Sequence, residues 1–559
     1  MKKTLFLLLT TFCLLNMQAF AKVWLRHQGT ATQIMVNNEP MLILGGELSN
    51  SAATSKADID SVLPRMKALG LNTVFLPAYW DLMEPREGQF DFSLIDEAIQ
   101  TARQNNLKLV YLWFGAWKNS MSCYAPLWFK QDTKRFPRAQ TANGKPLEIA
   151  TAFSENVLKA DKRAFLRLVE HIKEVDSQHN TVIMLQVENE IGMLESARDF
   201  SPLAEKAYRS RVPEKLLKHL GIAKRGTWPE VFGDDIFAQE KFQAYYYAAY
   251  VQQLCAAAKA TYALPLYVNA AMNSRGRKPG EYPSAGPLAH LIEIWKCAAP
   301  DIDIFAPDIY DTGFKDWVAK YKLKNNPFFT PETRLSANSG VRALYTFGAV
   351  DAISFSPFAI DEADATSAAS VSQAYKLIRQ LQPLLIKAQG MGPGAPKGPW
   401  GNTWGLLFDQ NDREQVITDD DVILTCRHYY TLPWDPRATD GTPWPEGGGL
   451  ILKLGTDDYL IAGNGIVTVF QTAEEKKQEV QVTRGEDGFA QQGKDAATAT
   501  ASKFRGQRIG IGYVDQVEVA ADGTLRFIRR DNGDQDHQGR HARIACGDYK
   551  ILHVKLYRY

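Results

Sequence analysis

Leu185-Gln186-Val187-Glu188-Asn189-Glu190-Ile191-Gly192 is the stretch whose reading decides the fold. The apolar run Val182-Ile183-Met184-Leu185 leads into it. Such a run suits a strand buried on both faces, as parallel sheets produce. Glu188-Asn189-Glu190 then stands where that strand should end. Two carboxylates at the mouth of a buried strand are costly to desolvate. They are either an acidic loop in water or functional groups at the C-terminal end of a barrel strand. The chain on either side favours the second.

Toward the N-terminus, residues 32–44 read as two short strands around Asn37-Asn38. The second runs from Met41 to Leu44 and stops at Gly45-Gly46, before Glu47. A helix over 57–69, with Gly70 as its stop, precedes a strand from Leu71 to Ala78 that ends in Tyr79-Trp80-Asp81. A helix over 93–105 leads to a strand from Lys108 to Phe114, followed by Trp117-Lys118-Asn119. A helix over 161–175 leads to the strand 181–187. Toward the C-terminus, residues 194–236 read as an excursion of polar helices before a long helix near 237–261. Strands follow at Pro265 to Val268, Ile302 to Ala306, Pro327 to Thr330 and Ala352 to Phe355. Helices over 287–297, 314–322 and 339–347 separate them, and one over 366–388 closes the series. Eight strands alternating with helices over about 350 residues predict one (β/α)8 TIM barrel. An open doubly wound sheet expects G-x-G-x-x-G after its first strand, and Gly45-Gly46 runs into Glu47 instead.

The texture changes at both ends. Residues 389–403, QGMGPGAPKGPWGNT, read as a Gly/Pro-rich linker. Beyond it lie short apolar runs at Leu450 to Leu454, Tyr459 to Ala462, Ile466 to Phe470 and Val480 to Thr483. Turn signals at Asn464-Gly465, Asp487-Gly488 and Asp522-Gly523 punctuate this region. They predict a smaller all-β domain over 404–559, sandwich-like or jelly-roll-like. At the N-terminus, Lys2-Lys3, the apolar run Leu5 to Leu15 and Ala19-Phe20-Ala21 read as a signal peptide over 1–21. That run is too short to span a bilayer. The barrel then occupies 22–388, and the protein is expected in the periplasm or outside the cell, with no membrane span.

Lys+Arg total 64 against 63 Asp+Glu, so no basic excess points to nucleic acid. Cys123, Cys255, Cys297, Cys426 and Cys546 remain after the signal and are widely spaced, which fits neither a disulfide framework nor a metal knuckle. Cys426 and Cys546 are the candidates for a pair, which the sequence leaves open.

In a TIM barrel, function sits where strands end. Those ends carry Glu47, Tyr79, Trp80, Asp81, Trp117, Asn119, Asn189, Glu190, Asn269, Asp308, Tyr310 and Glu332. The rim is rich in carboxylates and aromatics, with no Ser/His pair and no HExxH, and the histidines are scattered. Neither a cofactor nor a metal is expected. Two carboxylates facing one bond across a barrel mouth are what glycoside hydrolysis needs. Glu190 and Glu332, from strands four and seven, are the candidate pair. Asn189 is placed to hydrogen-bond a sugar hydroxyl beside the reacting carbon, Glu47 reads equally as a sugar contact or as a charge partner of the acids, and the other rim residues are candidate carbohydrate contacts. Trp80 and Trp117 read more readily as core or barrel lining than as sugar platforms. Glu188 points the other way along the strand and reads as structural support or a salt-bridge partner. Arg334 reads as a neutraliser of neighbouring carboxylates.

Residues 187–192 resemble the QVENEYG signature of the family 35 β-galactosidases. Asn72-Thr73-Val74, Trp80-Asp81-Leu82-Met83-Glu84-Pro85 and Gly88-Gln89-Phe90-Asp91-Phe92-Ser93 are similar to that family's NTV…WNLHEP…G-x-[YF]-[DN]-F-S run. The resemblance covers residues 30–385 or so. It implies that Glu190 is the acid/base, Glu332 the nucleophile, and the protein a secreted retaining exo-β-galactosidase. There are departures. The family's tyrosine falls at Pro77 and its asparagine at Asp81; Gly115-Ala116-Trp117-Lys118-Asn119 lacks the usual R-P-G-P-Y pattern, and Phe328-Phe329-Thr330-Pro331-Glu332-Thr333 lacks S-E-F or M-E-F. They suggest a divergent bacterial branch with an appended β-domain, some of whose members remove galactose from xyloglucan side chains. A related retaining β-mannanase or β-glucosidase, or a non-catalytic polysaccharide-binding barrel, are the alternatives.

Overall fold

A computed structural model describes residues 23–273, 276–391, 402–478 and 504–559. The expected signal over 1–21, most of the expected linker, and the Val480 to Thr483 run with its Asp487-Gly488 turn lie outside them.

The barrel strands are β1 (Ile43–Leu44), β2 (Thr73–Tyr79), β3 (Lys108–Phe114), β4 (Val182–Gln186), β5 (Leu266–Ala271), β6 (Ile304–Ile309), β7 (Thr330–Thr333) and β8 (Ser354–Pro357). They are parallel and neighbour one another in chain order, and β8 returns to β1. Just beyond β1, Glu47 bridges both Phe75 of β2 and Phe358. There Phe75 N–H donates to the Gly46 carbonyl at 2.9 Å, and Leu48 N–H donates to the Phe75 carbonyl at 3.0 Å. These bonds close the barrel. Val182 to Leu185 are all buried, as a strand with a core on both faces requires.

One helix follows each strand: α1 (Lys56–Ala68), α2 (Ser93–Gln104), α3 (Glu155–Asp176), α4 (Ile236–Thr261), α5 (Ile292–Ala298), α6 (Phe314–Tyr321), α7 (Ser339–Ala349) and α8 (Ala365–Ala388). α3 shows why they form. Ser154 caps it by accepting from Val157 N–H, Glu155 sits in its first turn, and Val157, Ala160, Ala164, Phe165, Leu168 and Ile172 make one buried face. That cap sets its start well before residue 161, where the apolar pattern alone placed it. The excursion between β4 and α4 holds three short helices, Pro202–Tyr208, Glu214–His219 and Trp228–Phe232.

Two further elements depart from the sequence reading. Ala31–Val36 pairs antiparallel with Glu39–Met41 through the Asn37-Asn38 turn, but also with Val23–Gln28, and β1 is separate from this small sheet. Both asparagines take positive φ, 55° and 66°, which a tight hairpin needs. The strand expected over 327–330 instead starts at Thr330 and contains Glu332. Pro331 has no N–H to give the ladder, and the register shifts between Thr330 and Thr333.

Beyond residue 402, six strands form one antiparallel sheet and four form another. Leu406, Ile451, Ile461 and Leu552 from the first pack on Ile417, Leu424 and Ile466 from the second. This is a sandwich. It rests on α7, where Arg342 makes two hydrogen bonds to Glu446, at 2.7 and 2.6 Å. A Cβ at Gly348 would lie 2.8 Å from the Trp404 carbonyl oxygen, so only glycine lets helix and strand approach. Cys426 and Cys546 are unpaired, and Cys123, Cys255 and Cys297 are also free thiols. No helix among the described residues is long and apolar enough to cross a membrane.

Candidate active site

Four acids converge at the C-terminal ends of the strands. Glu47 follows β1, Glu190 follows β4, Asp308 ends β6 and Glu332 lies in β7. All four are buried. Carboxylate oxygens of Glu190, Asp308 and Glu332 lie within 4.8 Å of one another. Those three are near enough to share one hard cation, with no histidine or cysteine in the donor set. The same proximity suits two carboxylates acting on one bond.

The backbone that delivers Glu190 is strained. Glu188 and Glu190 take φ of 60° and 45°, and Asn119 and Ser120, after β3, take 50° and 60°. Non-glycine residues there cost on the order of 1–3 kcal/mol each and persist only when their surroundings impose them. Here the restraints are explicit. Glu190 N–H donates to Asn269 Oδ1 at 3.0 Å. Trp117 N–H donates to Glu188 Oε2 at 2.8 Å. Asn119 N–H donates to the Asn189 carbonyl at 3.2 Å. Gly192 completes the turn: a Cβ there would stand 2.8 Å from the Pro283 carbonyl carbon.

Glu188 is structural support, as its direction along the strand implied. It meets Asp161 of α3, whose carboxylate also accepts from Trp113 Nε1 at 2.8 Å and from the Tyr250 hydroxyl at 2.6 Å. Burial, then the Asp161 charge, raise Glu188 well above the ordinary carboxylate range. The two carboxyl groups thus lie against each other beneath the site.

Each catalytic candidate has its own partners. Asn119 Nδ2 donates to Glu190 Oε2, and the Tyr310 hydroxyl donates to Glu332 Oε1. Asn269 also donates from Nδ2 to Asp308 Oδ2 at 2.7 Å, so one amide spans Glu190 and Asp308. The Asn189 amide is fully buried, yet neither its oxygen nor its nitrogen has a protein partner. Burial, then the Glu190 charge, push the Glu332 carboxyl up to about 7, against Lys118 and the hydrogen bonds of Tyr310 and Glu47. Burial, then the Glu332 charge, also raise Glu47 and Asp308 well above the usual range.

Lys118 was read at the end of the third strand but not among the candidate contacts, and the structure sets it beside the acids. It sits between Trp117 and Asn119, buried, with its ammonium 4.9 Å from the centre of the Phe114 ring and its charge acting on Glu47 and Glu332. Its position at a strand end was the available signal. Arg334 does not neutralise the acids as expected. Its Nε donates to the Tyr310 carbonyl at 2.8 Å, and its guanidinium lies over the Tyr310 ring.

The structure gathers Glu47, Asn119, Asn189, Glu190, Asn269, Asp308, Tyr310 and Glu332. The contacts of Tyr79, Trp80, Asp81 and Trp117 lie elsewhere. Tyr79 donates to the Asn50 carbonyl at 2.8 Å and walls a cavity of about 270 Å³ with Pro77, Asp91 and Tyr111. Trp80 is fully buried against Trp113 and Phe129, and its Nε1 donates to Glu84 at 2.8 Å. Asp81 accepts from Leu82 N–H at 2.9 Å. The Trp117 ring packs edge-on to Tyr247 and Tyr250 of α4.

A closed barrel with paired buried carboxylates at the ends of its fourth and seventh strands is the apparatus of a glycoside hydrolase. Residues 51–225 match the glycoside hydrolase 42 family model, described as Beta-galactosidase. The model that matches is thus that of family 42, where the motif resemblance pointed to family 35. The matched segment holds Asn119, Asn189 and Glu190 but ends before Asn269, Asp308, Tyr310 and Glu332. Residues 371–543 match a domain of unknown function (DUF5597), which takes in most of α8 and much of the sandwich. None of the curated proteins matches the chain. Similar solved structures include a beta-galactosidase from the psychrophilic Marinomonas ef1, at 13% identity and TM-score 0.44, covering 60% of this chain and 59% of that one. Another is a beta-galactosidase from Bacillus circulans sp. alkalophilus, at 16% and 0.46, covering 62% and 57%. A third is the polyextremophilic beta-galactosidase from the Antarctic haloarchaeon Halorubrum lacusprofundi, at 16% and 0.45, covering 64% and 59%. The chain therefore spans less than two thirds of each.

Proposed function

We propose that this chain is an exported exo-β-galactosidase that removes terminal β-galactose with retention of configuration. The observation that carries the reading is the approach of Glu190 and Glu332 oxygens to within 4.8 Å, from opposite sides of the barrel. Retaining glycosidases hold their carboxyl groups roughly 5–5.5 Å apart, whereas inversion needs about 6.5–9.5 Å to admit a water. Glu190 protonates the glycosidic oxygen while ionised Glu332 attacks the anomeric carbon, and a covalent glycosyl-enzyme forms. Glu190, now a base, takes a proton from water, which releases the sugar. Tyr310, donating to Glu332, orients the attacking carboxylate. The unpartnered Asn189 amide suits a hydroxyl of the bound sugar, because burying it without a partner is costly. The family model over 51–225 supports galactose as that sugar. Plant-type side chains such as those of xyloglucan are the finest part of the proposal, and they rest on the motif resemblance alone. Export rests on residues 1–21.

A panel of aryl β-glycosides tests the reading. The β-galactoside should turn over fastest, Glu332→Gly should abolish turnover, and Glu190→Gln should cut it by about a hundredfold or more. Preference for a β-mannoside or β-glucoside would replace the substrate. An unaffected rate in Glu190→Gln would remove the mechanism.

A further inference from the structure

Glu47 has no part in the reaction as written. It is fully buried where the barrel closes, its backbone fixed by the Glu47 N–H bond to the Pro357 carbonyl at 2.9 Å. Neither carboxyl oxygen receives a donor from another residue, and the carboxyl meets that of Glu332. Two ionised carboxylates in contact in a dry site repel, while one proton between them makes a strong hydrogen bond. Every strand that faces this contact bears on it. Lys118 comes from the end of β3, Glu190 from β4, Tyr267 from β5, Asp308 and Tyr310 from β6. One ammonium cannot balance four acids, so protons must be kept on some of them.

We infer that Glu47 is a positioning residue that keeps a proton and donates it in a hydrogen bond to Glu332, holding that carboxylate ionised and oriented for attack. This rests on Glu332 being the nucleophile. A donor fixed on the ionised form of Glu332 favours that form, which is the one the attack needs. The raised proton affinity of Glu47, from burial first and the Glu332 charge second, agrees with this role. Glu47 thereby tunes the reaction without touching the sugar.

The test uses two variants and p-nitrophenyl β-D-galactoside. Glu47→Gln keeps a neutral donor; Glu47→Leu is neutral and has none. Glu47→Leu should lower kcat by about tenfold to a hundredfold, as loss of a charge-assisted hydrogen bond does. It should also move the kcat/KM profile up by about one pH unit, since the ionised form of Glu332 has lost support. Glu47→Gln should move neither limb and stay within about tenfold of the parent. A Glu47→Leu loss with an unmoved profile would mean that Glu47 only fills space, and would overturn the inference. So would a Glu47→Gln variant with raised KM and unchanged kcat, the mark of a direct sugar contact. If the leucine variant does not fold, the profile of Glu47→Gln decides alone, because any shift there contradicts a proton-bearing Glu47. Glu332→Gly separates the two levels. An active Glu332→Gly variant fails the nucleophile assignment itself, whereas an inactive one beside an unaffected Glu47→Leu fails only this inference.

Discussion

Asn269→Ala removes one side chain that serves two acids. Its oxygen accepts from Glu190 N–H at 3.0 Å, and its nitrogen donates to Asp308 at 2.7 Å. Both partners are buried and stay behind when the amide is gone. A buried polar group left without its partner costs about 1–3 kcal/mol, so two of them cost roughly 2–6 kcal/mol together. Part of that falls on folding and should lower Tm by several degrees. The larger effect falls on Glu190, whose left-handed φ of 45° then lacks its main restraint. If the carboxyl relaxes by about 1 Å, the rate should drop on the order of a hundredfold. Steady-state turnover of an aryl β-galactoside and a thermal melt of the same preparation measure both. Asn269→Asp sharpens the result, because it still accepts from Glu190 N–H but sets another carboxylate against Asp308. A variant Asn269→Ala with parental kcat would refute the claim that this amide builds the site.

Further expectations follow from the same geometry. Glu332 attacks only in its ionised form and titrates near pH 7, so kcat/KM should rise as pH passes through about 7; a profile flat across that range would contradict it. The raised Glu332 also bears on stability. The unfolded carboxyl releases its proton near the ordinary value of 4.5 and the folded one near 7, so stability falls as pH rises between them. Glu332→Gln should therefore raise Tm at alkaline pH and leave it near the parental value well below pH 4.5, as melts at both extremes would read. Gly192→Ala forces a Cβ to 2.8 Å from the Pro283 backbone and should cost about 1–3 kcal/mol of stability; an unchanged denaturation midpoint would show that the turn has room.

The barrel was legible because its strands announce themselves locally. Leu109 to Phe114 is an unbroken apolar run, and the strand there spans Lys108–Phe114, as its reading placed it. Glu190 and Glu332 were legible because carboxylates at strand ends are conspicuous, and the barrel brings all strand ends together. Trp80 and Trp117 stand at strand ends like Glu190, and both rings turn into the packing between sheet and helices, the lining role favoured for them, because aromatics fill volume. Direction was harder for a charged side chain. Lys118 turns the opposite way, and nothing in its neighbours announces a buried ammonium. The meeting of Glu188 and Asp161 joins the end of β4 to α3, a contact that no local pattern announces. Val23–Gln28 escaped because a short edge strand of mixed polarity carries little periodic signal.

The central claim is a double displacement between Glu190 and Glu332. Following the first-formed sugar by proton NMR during hydrolysis of an aryl β-galactoside tests it most directly. The account predicts β-galactose first, with the α anomer appearing only by mutarotation. Release of α-galactose as the initial product would contradict it, and with it the assignment of Glu332 as nucleophile.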